Sequence, residues 1–134
     1  MKKLILLVVF LLTCLASWAQ KTQTLKPEKK VENGEMKTYY LVFLKKGTKR
    51  DQDSITSAKI QEGHMAHLNK MYAEGKMDLA GPIMNDGDLR GICVYNVGSL
   101  EEAKKLVESD PAIISGRLVA EILPWFSQKG AVLR

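Results

Sequence analysis

Two cysteines in 134 residues, Cys14 and Cys93, leave no framework of crosslinks to hold a small fold together. The chain also lacks a glycine-rich phosphate loop and a Gly-x-Ser-x-Gly elbow, and neither cysteine is paired with a histidine in a known local signature. The commonest nucleotide-binding and covalent-nucleophile readings are thereby removed. The unbroken apolar run from Leu4 to Leu12 falls well short of the ~20 residues a bilayer span requires. No internal repeat is visible and no block of one charge sign stands out. From Lys37 onward fourteen basic residues face twelve acidic ones, dispersed along the chain. The concentrated lysine and arginine contacts of phosphate-backbone binding are missing, so nucleic acid is not an expected partner.

What is present suits one domain, with 46% hydrophobic and 26% charged residues. Met1-Lys-Lys3, the run from Leu4 to Leu12 and Ser17-Trp-Ala19 read as the charged, apolar and small-residue parts of a cleaved leader over residues 1–19. Leu11-Leu-Thr-Cys14 keeps lipid attachment open as an alternative, although Thr13 is bulkier than the residue such a site prefers. Cleavage after Ala19 removes Lys2, Lys3 and Cys14, lowers the formal charge from +5 to +3 and leaves Cys93 as the one thiol. An exported protein without disulfides, periplasmic or secreted, in a bacterial envelope, is the expectation, with no membrane association after cleavage. Residues 20–36 are charged and poor in large apolar side chains, a solvated tether. The domain is expected over 37–127, with a tail at 128–134.

Six elements are predicted in that domain. Thr38 to Leu44 is aromatic and β-branched, apolar at odd and even positions alike, so this strand is covered on both faces. A helix follows from Ser54 to Glu74 with Ile60, His64, His67, Leu68 and Met71 on one stripe, and Gly75 is placed to end it. Gly63 inside that helix costs about 1 kcal/mol relative to alanine, which hints at a close approach there. Met77 to Ile83 and Gly91 to Val97 form a hairpin across Asn85-Asp-Gly-Asp88. Ser99-Leu-Glu-Glu102 has the spacing of a capping box and opens a helix that Asp110-Pro111 stops. Arg117 to Leu123 is the last strand.

The order β-α-β-β-α-β is the ferredoxin-like arrangement, an α+β fold with two helices on one face of a four-stranded antiparallel sheet. The other face needs a cover, and a second subunit packed sheet to sheet is the simplest one, so a homodimer is expected. Trp125 and Phe126 suit the same interface better than a pocket wall.

His64 with Leu68, Glu74-Gly75, Ala80-Gly-Pro82, Leu100-Glu-Glu-Ala103 and Asp110-Pro111 together resemble the YciI-like (YCII-related) proteins, over roughly Tyr39 to Phe126. The resemblance implies a dimeric α+β barrel, related in fold to muconolactone isomerases and small dimeric-barrel monooxygenases. It also implies a His-Asp site, the histidine matching His64 and the aspartate matching Asp110, while His67 inherits no role. The leader and tether depart from the compact pattern of that family.

Physically, an imidazole with an unperturbed pKa of about 6.5 can take or give a proton near neutrality, and a carboxylate beside it fixes its tautomer. His64 is then the acid/base and Asp110 its partner, with Gly81 and Pro82 as one wall of the pocket. A small proton-transfer enzyme of the isomerase or lyase type, acting on a small molecule without a cofactor, is one reading. A noncatalytic dimeric module that binds a small ligand in the envelope is the other. His64 and His67 also make a His-x-x-His pair, but the sequence offers no obvious third ligand, so no metal is expected. Cys93, within Gly91-Ile-Cys-Val-Tyr95, reads as a buried inert thiol.

Overall fold

A computed structural model describes residues 34–133, which lie within one unit spanning Asn33–Arg134. The expected leader, Cys14 and most of the tether are outside the described residues. Strand β1 (Met36–Lys46) is followed by helix α1 (Ser54–Ala73), the hairpin β2 (Met77–Pro82) and β3 (Leu89–Tyr95), helix α2 (Leu100–Glu108), a single helical turn α3 (Pro111–Ile114) and strand β4 (Leu118–Gln128). All pairings are antiparallel in the order β2-β3-β1-β4, the ferredoxin-like sheet read from the sequence.

Alternation along β1 divides its side chains between two environments. Tyr40, Val42 and Leu44 enter the core with Cys93 and Tyr95 of β3, Met77 of β2, Met71 of α1 and Ala103 and Val107 of α2. Tyr39, Leu41 and Phe43 take the opposite face, where their register partners on β4 are Trp125, Leu123 and Glu121. Leu79, Val119, Leu123 and Trp125 are exposed. Tyr39 and Trp125 approach to 6.2 Å between ring centroids, tilted by 45°. The helix-free face is thus apolar and open in the single chain.

The helix ends follow their local chemistry. Asp53 caps α1 by accepting the backbone N–H of Thr56 at 2.8 Å, and Gly75, at φ 66°, turns the chain out of that helix. At α2, Ser99 Oγ accepts from the N–H of Glu102 at 3.1 Å, while the Glu102 carboxylate reaches back to the N–H of Gly98 at 3.1 Å, one residue earlier than an ideal capping box.

Strand boundaries differ from expectation, β1 and β3 each starting two residues early, and two ends carry a physical reason. β4 runs past Pro124 to Gln128, pairing with β1 along its whole length from Met36 to Lys46. Proline is tolerated because β4 is a sheet edge, where a missing N–H can face open space. β3 ends at Tyr95, and Asn96 instead donates to both carboxylate oxygens of Asp78 at 3.1 Å. Asp78 occupies the irregularity between Met77 and Leu79 in the β2–β3 register.

Candidate functional site

Helical spacing puts His64, His67 and Met71 on the buried side of α1, with Ile60 and Leu68 half-buried beside them. Pro111 packs against the same stretch of helix. A Cβ at Gly63 would sit 3.1 Å and 3.2 Å from the Pro111 ring, so the glycine is what allows α3 to lie this close.

Asp110 occupies the seam between α2 and α3. Its N–H donates to Val107 O, and its side chain caps α3 by accepting the N–H of Ala112 at 2.8 Å on Oδ1. Proline suits the first position of α3, where an N–H would have no helical partner. The other carboxylate oxygen, Oδ2, lies 2.7 Å from His64 Nδ1. Both residues are buried, Asp110 at 3% and His64 at 8% exposure. A residue read in sequence as a helix stop is therefore also a helix start and the partner of His64.

The carboxylate accepts from Nδ1–H, which leaves the lone pair of the neutral ring on Nε2. Among the described residues Nε2 has no hydrogen-bond partner, yet no side-chain nitrogen or oxygen is both buried and unsatisfied. The tenth of the His64 side chain that stays accessible therefore includes Nε2. An imidazole held through one nitrogen, with the other open, can exchange a proton with a small molecule.

One turn on, His67 Nε2 lies 3.4 Å from the Tyr95 hydroxyl. Burial pushes the His67 pKa down, opposed by the nearby Asp110 and assisted by His64 and Lys70. Burial likewise pushes Tyr95 up, so its hydroxyl keeps its proton, and raises the Cys93 thiol to about 12. Cys93 is thus an inert core thiol, as its strand context indicates. Sequence reasoning did not pair Tyr95 with His67, because only the register of β3 brings them together. Among the described residues, no three His, Cys, Asp or Glu side chains form a group that could hold a metal ion.

Gly81 and Pro82 lie at the end of edge strand β2, both exposed, opposite Ile92 and Gly91. Neither lines the cleft of about 350 Å³ between α2, α3 and β4, whose walls include Lys104, Val107, Ile113, Leu118 and Ile122.

A family model described as the YCII-related domain matches residues 39–126. Among solved structures, the 5-chloro-2-hydroxyhydroquinone dehydrochlorinase from Burkholderia phenoliruptrix AC1100, in complex with 2,5-dihydroxybenzoquinone, is similar in fold. It has a TM-score of 0.50 and 22% identity, covering 65% of this chain and 92% of that one. No curated protein matches the chain.

Proposed function

The chain belongs to the YCII-related domain family, and on that footing we propose that it is a small proton-transfer enzyme of the isomerase or lyase type, acting on a small molecule. The observation that carries this is the buried 2.7 Å contact between His64 Nδ1 and Asp110 Oδ2, with Nε2 left free. His64 takes a proton from the substrate and returns it, and Asp110 orients the ring and stabilises the imidazolium formed in between. The dehydrochlorinase of similar fold is bound to a dihydroxylated quinone, which supports small oxygenated rings as the first compounds to try.

We further propose that the protein works as a homodimer joined through the open sheet face, and that residues 1–19 direct it out of the cytoplasm. Exposed Leu79, Val119, Leu123 and Trp125 on that face support the dimer, because an apolar sheet surface in water favours association.

A second reading, a noncatalytic ligand-binding module, is favoured by the cleft between α2, α3 and β4, whose lining includes neither His64 nor Asp110. The two readings separate by hydrogen–deuterium exchange at carbon, followed by NMR on a panel of small enolisable ketones and hydroquinones that includes 2,5-dihydroxybenzoquinone. The enzyme reading expects exchange faster than buffer alone and lost in His64→Gln, with the variant's fold checked by circular dichroism. Binding without exchange, equal in wild type and variant, sinks the enzyme and leaves the module.

A further inference from the structure

We propose that His67 is a second substrate-contacting residue of this site: its ring is held in the Nδ1–H form by Tyr95 and hydrogen-bonds an oxygen of the substrate while His64 handles the proton. This deepens the proposed function and rests on it. Three observations carry it.

The first is placement. His64 and His67 are three residues apart on one face of α1, both buried, and close enough that their charges interact. The second is a shared plan. Each ring is engaged through one nitrogen only, His64 by Asp110 and His67 by Tyr95, and each has its other nitrogen unpartnered among the described residues. Because, among the described residues, no side-chain nitrogen or oxygen is both buried and unsatisfied, both free nitrogens keep some solvent exposure.

The third is the tautomer. Tyr95 is only 2% exposed and, among the described residues, its hydroxyl has no partner other than His67 Nε2. Were Nε2–H the donor, the buried phenol hydrogen would have no acceptor, a loss comparable to the whole value of the bond. Donation from Tyr95 O–H into Nε2 satisfies it and leaves the ring proton on Nδ1, so the open nitrogen of His67 is a donor. The open nitrogen of His64 is an acceptor by the same logic. The two free positions are complementary.

One ring open as a donor and the other as an acceptor divide the work between them. The titratable groups near His67 are His64 and Lys70 on its own helix, Asp110 at the start of α3, and Tyr95 on β3. Lys70 is two-thirds exposed and sits 3.9 Å from Glu74. Burial is the largest influence on His67 and favours its neutral form. The implied substrate carries an acidic C–H or O–H one or two bonds from a carbonyl or hydroxyl oxygen. His64 Nε2 forms a bond to the departing proton, the C–H or O–H electron pair moves into the substrate to give an enolate or phenolate, and His67 Nδ1–H donates to the oxygen on which that charge collects. Return of the proton from His64 restores both rings, with no net change in the protein.

The test is NMR of the two imidazoles in ¹⁵N-labelled protein of this sequence, which contains no other histidine. Long-range ¹H–¹⁵N correlations are expected to show His67 as the Nδ1–H tautomer, with its protonation midpoint below the ordinary histidine value of about 6.5. An Nε2–H tautomer, or protonation of His67 at the ordinary histidine midpoint, overturns the inference whatever the substrate is. With 4-nitrocatechol as probe, signals of both rings are expected to move, His67→Phe to weaken binding about tenfold, and His67→Gln, which keeps an N–H donor, to restore part of it. Movement of His64 alone, with His67→Phe binding as wild type, overturns this inference and leaves the proposed function standing. Silence of both rings overturns the two together.

Discussion

Gly63 and Pro111 are separated by less space than a methyl group needs, and that closeness brings Asp110 within 2.7 Å of His64. Replacing Gly63 with alanine ordinarily gains about 1 kcal/mol in a helix interior. Here the added Cβ meets the Pro111 ring, which is fixed by the cap at its own helix start. Gly63→Ala is expected to yield none of that gain in urea denaturation, and to weaken binding and turnover through the displaced His64. A clear stabilisation with unchanged function would show that α3 can move away freely.

Asp110 serves two partners, so its substitutions separate in effect. Asp110→Asn retains an acceptor for the Ala112 N–H and is expected to be about 1 kcal/mol less costly to stability than Asp110→Ala, in line with asparagine's capping strength. Proton transfer falls at least a hundredfold, since an amide does not stabilise an imidazolium as a carboxylate does. Asp110→Ala removes both bonds and is expected to cost about 2–4 kcal/mol. Chemical denaturation alongside the deuterium-exchange assay reads both.

His67 supplies a pH dependence of stability. Its folded-state pKa lies below its unfolded value of about 6.5, so between those two values the unfolded chain binds more protons and stability rises with pH. Acidification from pH 7 to 5 should therefore lower the melting temperature, and His67→Phe should flatten that slope. An identical slope in the variant would assign the acid sensitivity elsewhere.

Leu123 and Trp125 sit exposed on the helix-free face. Light scattering of the wild-type chain at micromolar concentration is expected to give twice the monomer mass, and Leu123→Lys to give the monomer. A wild-type monomer would remove the sheet-to-sheet dimer.

Where structure is set locally, the sequence reports it well. The α1 stripe, the Ser99 cap and the hairpin around Asn85-Asp-Gly-Asp88 depend on neighbours within a few residues, and each was legible. Gly63 announced a close approach but not its partner, because Pro111 is distant in the chain. Asp110-Pro111 reads equally well as the end of one helix and the start of the next, and the structure uses both senses. The pairing of His64 with Asp110 was legible only through family resemblance. That of His67 with Tyr95 was not, since it depends on which residues of β3 fall beneath α1. Pro124 marks the end of β4 in sequence because edge position, which excuses a proline, is a property of the finished sheet.

The pairing of Met36 with Gln128, continued by the Lys129 N–H to Glu35 O bond of 2.7 Å, brings the two ends of the domain side by side. The domain can therefore be rewired. A short glycine-serine linker from Lys129 to Glu35, with new termini opened in the exposed turn between β2 and β3, would give a circular permutant with every strand pairing intact. In such a protein a leader, a label or a surface anchor could be attached at the opposite end of the sheet.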